Sequence, residues 1–374
     1  AITGLKFGLD NMLIKPRGIG RIQGKAKLID NHTVEITEGD NVSVITAENI
    51  IIATGSEPAL IPAFNIDHKK IITSDEALNL MEIPKEMIII GAGALGLEFG
   101  YLFAAFGSKV TIVEMMPHVV PMLKDDEIVR VISNYLEKSG MVLKCGSGIS
   151  KISVTGDERV CCELESGEKL EADVALVAIG RSLNTKGIGL EEAGVELTPK
   201  GQVIVDDRMR TTVPNIFAVG DITMGPQLSH KAQKQGLIAA EVIAGNNAHM
   251  SYEVIPSAIF IHPEIAMVGM TSDEAKESGI ETVVGKMQFS SNEKAMSMQK
   301  TTGMIKVTAR ADNHKIIGGH IFGEDASVLI EEIATAIQNG LRLEDVADSI
   351  HAHPTLSEIV METCKNALGK AFYK

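Results

Sequence analysis

The segment from Met87 to Glu114 constrains the fold of this chain more than any other part of the sequence. Its successive parts are the apolar run Met87 to Ile90, the glycine-containing stretch Gly91 to Gly96, the helical pattern Leu97 to Phe106, and the apolar run Lys109 to Val113. A buried strand, a glycine turn, a helix and a second strand in this order are typical of a βαβ unit. The sequence therefore predicts a parallel sheet with a tight turn after its first strand.

Each glycine of this stretch has a mechanical role in binding a dinucleotide. Gly91 permits the tight turn, Gly93 lets the backbone approach a pyrophosphate, and Gly96 lets the helix pack closely on the strand. The helix N-terminus adds unpaired N–H groups and a partial positive charge. The alternative is a glycine-rich turn that binds nothing. We favour a binding site, with the candidate residues Gly91, Ala92, Gly93, Ala94, Leu95, Gly96, Leu97 and Glu98.

Glu114 indicates which dinucleotide binds. It lies about 20 residues after the glycines, where a carboxylate accepts hydrogen bonds from an adenosine ribose. Its charge repels a 2′-phosphate, and the residues from Met115 to Pro117 include no arginine that would receive one. We therefore predict NAD rather than NADP.

Glu98 lies in the first turn of the predicted helix and has two interpretations. A carboxylate at this position is favoured by the helix dipole alone. It is also placed to contact the nicotinamide end of a bound dinucleotide. The residues by themselves leave both interpretations open.

Charge and composition exclude several classes of protein. The formal net charge of −14 argues against binding to nucleic acid or to anionic membranes, because neutralising phosphates requires clustered Lys and Arg. The sequence contains no apolar run of about 18 residues, so it predicts no transmembrane helix. The start at Ala1 has neither signal nor transit character. The four cysteines form neither a CxxC pair nor a zinc pattern, so we expect reduced thiols in a reducing compartment.

The chain divides by pattern into four parts, residues 1–78, 79–180, 181–251 and 252–374. Three apolar runs that end in glycine recur along it: Ile50 to Gly55, Ala175 to Gly180, and Ile216 to Gly220. Runs without polar alternation are typical of strands buried on both faces. The predicted fold class is α/β, with Rossmann-like three-layer domains followed by a C-terminal α+β domain.

A histidine-rich segment near the C-terminus, His351 to Glu358, is a candidate acid–base site. Pro354 places the start of the last helix at or after itself, so His353 lies outside the helix. Glu358, in the first turns, could then fold back and orient the imidazole as a base. Three alternatives are a metal site on His351 and His353, a helix cap by His353, and a purely dipolar role for Glu358.

Taken together, these motifs resemble the pyridine nucleotide–disulfide oxidoreductases, most closely their dihydrolipoyl dehydrogenase branch. The resemblance covers essentially the whole chain. The motifs that carry it are Ala53 to Pro58, Gly91 to Glu98, Ala178 to Arg181, Ala218 to Asp221, and His351 to Glu358. No paired cysteines, which would suggest mercuric reductase, occur near the end of the chain.

The resemblance implies roles for particular residues. His353 would be the acid–base group that deprotonates a substrate thiol, with Glu358 holding it. The family pattern implies FAD contacts from Thr54, Gly55, Ser56, Asp221, Gln227, Leu228, Ser229 and His230. It implies NAD contacts from Gly91 to Glu98, Glu114, Ile149 and Gly180, and it favours the nicotinamide interpretation of Glu98.

The resemblance also predicts how the four parts work together. Residues 1–78 would belong to an FAD-binding domain, 79–180 to an NAD-binding domain, 181–251 to the end of the NAD domain and the return to the FAD domain, and 252–374 to a dimerisation domain. Partners would be a second copy of the chain and the lipoyl domains of 2-oxoacid dehydrogenase or glycine cleavage complexes. The expected location is the cytoplasm, or the mitochondrial matrix in a eukaryote.

The sequence departs from the family pattern in one respect. The first GxGxxG motif for FAD and the redox pair Cys-x4-Cys are absent from these residues. We therefore expect an N-terminally truncated enzyme that does not turn over by itself. A gene whose reading frame starts at Ala1 would contradict that expectation. The alternatives are another flavin disulfide reductase, resembling glutathione reductase or a soluble transhydrogenase, and a non-catalytic NAD-binding dimerisation module.

Overall fold

The computed structural model describes residues 2–371. The helices are α1 Ile2–Gly8, α2 Ser74–Ala77, α3 Ala94–Ala105, α4 Asp126–Lys138, α5 Ser229–Ile243, α6 Ser272–Glu277, α7 Glu293–Ser297, α8 Ala326–Gln338, α9 Leu343–Ala347 and α10 Glu358–Ala367. The strands are β1 Lys25–Leu28, β2 Thr33–Glu38, β3 Asn41–Thr46, β4 Ile50–Ile52, β5 Ser56–Pro58, β6 Ile71–Ile72, β7 Glu86–Ile90, β8 Lys109–Glu114, β9 Val142–Cys145, β10 Ile149–Val154, β11 Val160–Leu164, β12 Lys169–Ala172, β13 Val174–Val177, β14 Arg181–Leu183, β15 Ile216–Ala218, β16 Ser257–Ile259, β17 Glu264–Gly269, β18 Thr282–Gln288, β19 Met304–Arg310 and β20 Ile316–Gly323.

A five-stranded parallel sheet, in the order β6-β13-β7-β8-β9, forms the centre of the predicted dinucleotide-binding region. Its middle strands are buried on both faces, as their unbroken apolar runs predict. On β7, Ile89 packs into the core with α3 and α4, whereas Ile88 and Ile90 pack against the antiparallel sheet β10-β11-β12. Successive side chains on a strand point to opposite faces, so one strand supports three layers.

The C-terminal region is built on an antiparallel sheet in the order β16-β17-β20-β19-β18. Helices α8 and α10 pack on this sheet around an apolar core that includes Ile321, Ile333 and Val360. Residues 57–182 and 251–371 together form one compact unit. The C-terminal region therefore has the predicted α+β composition, and α10 begins at Glu358, after Pro354 as expected.

Residues 2–56 and those from Leu183 to Met250 form a second compact unit. It contains the antiparallel sheet β1-β2-β3 and the parallel pair of β4 with β15, in which Ile52 lies opposite Ala218. The α/β class is confirmed. The division into four functional domains stays a prediction. The structure differs in one detail: α3 begins at Ala94 rather than Leu97, because Gly93 occupies the N-cap position.

A buried ion pair joins the parallel-sheet region to the C-terminal sheet within the larger unit. The Lys306 ammonium of β19 lies 2.8 and 2.7 Å from the two carboxylate oxygens of Asp125, which also caps α4. The two side chains are 11% and 7% exposed. Burial lowers the pKa of the neighbouring His320, the cross-strand partner of Lys306, to about 4, so this imidazole is neutral at pH 7. Lys306 is therefore the cation that compensates Asp125.

We predict that Lys306→Met lowers the free energy of unfolding by about 3–5 kcal/mol, because it leaves a buried carboxylate without its cation. Lys286→Met is the matched control. Its side chain is 56% exposed and its ammonium pairs with Glu127 at 3.0 Å, so its loss is expected to cost less than about 1 kcal/mol. Urea unfolding followed by circular dichroism measures both, and equal losses in the two variants would contradict the prediction.

Candidate functional site

The dinucleotide turn has the close backbone packing that its glycines predict. Gly91 has a φ of 104°, and a Cβ there would lie 2.4 Å from the carbonyl oxygen of Ala178. A Cβ on Gly96 would lie 1.9 Å from the carbonyl oxygen of Gly91. Gly93 differs, because a Cβ there would meet no atom within 4 Å. Two glycines therefore permit the fold, and the third leaves open space over the N-terminus of α3.

The Glu114 carboxylate stabilises this turn by hydrogen bonds to the backbone. Its Oε2 accepts a hydrogen bond from the Ala92 N–H at 2.7 Å, and its Oε1 accepts one from Met116 N–H at 2.8 Å. The Ala92 carbonyl in turn accepts from the Val120 N–H at 2.9 Å. Each carboxylate oxygen has a second acceptor position, so these bonds leave capacity for ribose hydroxyls. Sequence reasoning missed this support of the turn by Glu114.

Glu98 makes a hydrogen bond that neither of its two interpretations from the sequence predicted. Its Oε1 accepts a hydrogen bond from the backbone N–H of Phe260 at 2.9 Å, just after β16. This side chain is half-buried. Glu98 therefore links the dinucleotide helix to the C-terminal region, and one of its oxygens is available for a further donor.

The remaining predicted NAD residues lie at the same end of the parallel sheet. The Ala178 N–H donates to the carbonyl of Ile90 at 2.8 Å, which brings the end of β13, and Gly180 after it, beside the turn. The Ser147 N–H donates to the Glu114 carbonyl at 3.1 Å, so the segment that leads to Ile149 lies beside Glu114. The carboxyl ends of parallel strands are where α/β sheets bind ligands.

The predicted flavin residues lie together in the smaller unit. The Ser56 hydroxyl donates to the Asp221 carboxylate at 2.5 Å, and the Thr54 hydroxyl donates to the Asn184 carbonyl at 2.7 Å. Gly55 adopts a φ of 67° between them. The predicted segment Gln227 to His230 is largely exposed and leads into α5.

Two buried residues that sequence reasoning missed hold the turn at Asp221. The Lys231 ammonium donates to the carbonyls of Gly220 and Met224 at 3.2 and 3.1 Å. The Gln235 Oε1 accepts from the Gly220 N–H at 2.8 Å. Burial lowers the pKa of Lys231, against the opposing charge of Asp221. A lysine and a glutamine on the buried face of a helix, four residues apart, are the signal that would have revealed them.

The candidate acid–base pair forms as the sequence predicts. His353 Nδ1 lies 3.0 Å from Glu358 Oε1, and Glu358 Oε2 accepts from the Thr355 N–H at 2.9 Å. The carboxylate is thus fixed by the backbone that follows Pro354, and its side chain is 19% exposed, against 60% for the imidazole. Because a carboxylate only accepts, the hydrogen-bond network assigns the proton to Nδ1 and leaves Nε2 to accept another.

The electrostatics of this pair suit a base. The hydrogen bond and the charge of Glu358 raise the pKa of His353. Burial works to raise the pKa of Glu358, but it is outweighed by hydrogen bonds from Thr355 and His353, and the pKa of that carboxyl is lowered. The acid therefore stays ionised and stabilises the imidazolium that forms when Nε2 takes up a proton.

His351 is separate from this pair. Its Nε2 lies 2.9 Å from Glu332 Oε1 on α8, and its side chain is 9% exposed. Among residues 2–371, no three His, Cys, Asp or Glu side chains are grouped so that they could hold a metal ion. Over the same range, no helix is both long and apolar enough to cross a membrane.

Both predicted nucleotide sites fit their cofactors chemically. The open space over Gly93 and the N-terminus of α3, which no side chain caps, suit an anionic pyrophosphate, and Glu114 suits ribose hydroxyls. In the smaller unit, the half-buried Asp221 carboxylate beside Gly55 and Ser56 suits the hydroxyl groups of a ribitol chain.

The chain belongs to the pyridine nucleotide–disulphide oxidoreductase family. Residues 3–236 match the model of that family, and residues 255–364 match the model of its dimerisation domain. Members of this family are enzymes that use FAD and NAD, which agrees with the cofactors predicted from the sequence.

Several individual proteins are similar to this chain over most of its length. The chain is 39% identical to mitochondrial dihydrolipoyl dehydrogenase of Sus scrofa, over 99% of this chain and 74% of the relative. It is 39% identical to dihydrolipoyl dehydrogenase of Geobacillus stearothermophilus, over 96% and 76%. Among solved structures, LpdA of Mycobacterium tuberculosis superposes with a TM-score of 0.90 at 27% identity, covering 97% of this chain and 81% of that one. The flavoprotein disulfide reductase RclA of Escherichia coli superposes with a TM-score of 0.88 at 28% identity, covering 97% of this chain and 82% of that one.

Proposed function

We propose that this chain carries the proton-accepting and NAD-binding parts of a dihydrolipoyl dehydrogenase. The observation that carries the proposal is the His353–Glu358 pair, with Nδ1 held by a fixed carboxylate and Nε2 left to accept a proton. The reaction would convert a dihydrolipoyl group and NAD⁺ into a lipoyl group, NADH and a proton. The support from relatives is 39% identity to enzymes of that name over nearly the whole chain.

The residues of this chain have separate tasks in that reaction. His353 Nε2 accepts the proton of a substrate thiol, so that the sulfur reacts as a thiolate. Glu358 keeps the imidazole in the required tautomer. FAD, when bound, supplies the two-electron relay between a disulfide and NAD. At the other end, Gly93 and the N-terminus of α3 hold the pyrophosphate, while Glu114 orients the adenosine ribose and selects against a 2′-phosphate.

The partners follow from the same proposal. The match of residues 255–364 to a dimerisation domain supports a homodimer in which His353 serves the disulfide of the second subunit. The substrate would be the lipoyl domain of a 2-oxoacid dehydrogenase or glycine cleavage complex. Since the porcine relative is named as mitochondrial, we propose the mitochondrial matrix for a eukaryotic source and the cytoplasm for a bacterial one.

Steady-state kinetics of the full-length gene product with FAD test the function. We expect dihydrolipoamide to reduce NAD⁺ with a kcat/KM at least about 100-fold above that for NADP⁺, because Glu114 would leave a 2′-phosphate without a cationic partner. Reduction of glutathione disulfide by NADPH is the comparison reaction. A preference for that reaction would reject the proposal in favour of a glutathione-reductase-like enzyme.

A further inference from the structure

A second carboxylate lies against the nitrogen of His353 that Glu358 leaves open. Glu293 Oε2 is 3.5 Å from His353 Nε2, on the opposite side of the ring from Glu358. The imidazole thus lies between two carboxylates. Glu293 is the first residue of α7, and its side chain is 51% exposed.

The position of Glu293 is fixed by the residue before it. Asn292 is buried, its Oδ1 accepts from the Ala295 N–H at 2.9 Å, and its Nδ2 donates to the Thr355 carbonyl at 3.1 Å. One side chain therefore caps α7 and ties it to the segment that holds His353. The placement of Glu293 opposite the imidazole is built into the backbone rather than left to a flexible loop.

The arrangement favours one protonation state of the ring. In the neutral imidazole with its proton on Nδ1, Nε2 presents a lone pair, and a carboxylate nearby is repulsive. Once Nε2 is protonated, the same carboxylate becomes a partner of the imidazolium. The other charged groups of the cleft that His353 lines are Glu358 and Glu362 of α10, and Lys365 neutralises Glu362 at 2.9 Å. His351 acts electrostatically on Glu358 and is itself paired with Glu332.

We propose that Glu293 is a positioning residue that stabilises the imidazolium of His353 after it accepts the substrate proton. The step is a proton transfer from the dihydrolipoyl sulfur to Nε2, with the sulfur left as a thiolate. This inference rests on the function proposed above. Its consequence is that Glu293 adds to the larger effect of Glu358 in raising the pH below which thiol oxidation fails, because only the neutral imidazole accepts a proton.

Glu293→Gln tests the proposal by two independent measurements. NMR titration of the His353 ring protons is expected to show a lower pKa than in the unmodified protein, since the direction set by Glu293 is upward. In the FAD-loaded full-length enzyme, the acid limb of kcat/KM for dihydrolipoamide is expected to move to lower pH. On that limb the rate should rise about two- to fivefold, the range that corresponds to an exposed ion pair. Added salt should reduce the difference.

Two further variants serve as controls. Glu293→Asp keeps the charge and is expected to keep most of the effect. Glu344→Gln removes a different His–Glu contact in the same region, that of His314 at 2.5 Å, and should leave the His353 titration in place. An unaltered His353 titration in Glu293→Gln would show that Glu293 does not act on the imidazole of His353. A shifted titration with an unmoved acid limb would overturn its role in the reaction, and absence of dihydrolipoamide oxidation in the unmodified enzyme would overturn the proposed function instead.

Discussion

His353→Gln is expected to reduce dihydrolipoamide oxidation by about 100- to 10,000-fold in the full-length enzyme, the usual contribution of a positioned general base. The glutamine amide is close in size to the imidazole and can hydrogen-bond to Glu358, but it cannot take up a proton near neutral pH. Stopped-flow reduction of the flavin by dihydrolipoamide measures the loss directly.

The loss should be confined to the thiol half of the reaction. Reduction of ferricyanide by NADH uses the NAD and flavin sites alone, so His353→Gln is expected to retain it. His314→Gln is the matched control, because it removes another histidine that pairs with a glutamate, Glu344, in the C-terminal region. If His353→Gln oxidised dihydrolipoamide at the unmodified rate, His353 would not be the base.

How far the sequence predicted the site depends on whether a residue acts through local order or through distant contacts. The glycine turn and the His353–Glu358 pair were predictable, because their partners are near in sequence and the turn, the proline and the helix start restrict the backbone between them. The α/β class followed from the strand runs for the same reason. The ends of the helices were less predictable than their presence. Helix α3 starts at Ala94, three residues before the predicted Leu97, because Gly93 serves as its N-cap.

Contacts between distant segments could not be predicted from the pattern. The Glu98 contact with Phe260 spans 162 positions, and the pairing of Asp125 with Lys306 spans 181. Nothing local distinguishes these charged residues from ones on a solvated surface. The role of Glu293 was unpredictable for the same reason, because its proximity to His353 depends on the tertiary packing of α7 against the segment before α10.

Gly96→Ala is expected to abolish NAD binding and to destabilise the protein by about 1–3 kcal/mol, because overpacking forces backbone shifts. The new methyl would lie 1.9 Å from the Gly91 carbonyl oxygen, which belongs to the turn itself rather than to a flexible side chain. The turn must therefore open, and with it the N-terminus of α3. Calorimetric titration with NAD and thermal unfolding measure the two effects.

Gly93→Ala separates binding from folding in the same turn. Gly93 has a φ of −75° and a ψ of −171°, which alanine adopts without strain, and its methyl would meet no protein atom within 4 Å. The free energy of unfolding should therefore change by less than about 0.5 kcal/mol. The methyl would fill the space that the pyrophosphate needs, so the Kd for NAD is expected to rise at least tenfold, or about 1.4 kcal/mol. If Gly93→Ala bound NAD as tightly as the unmodified protein, the pyrophosphate would not lie over this residue, and the open space beside α3 would need another explanation.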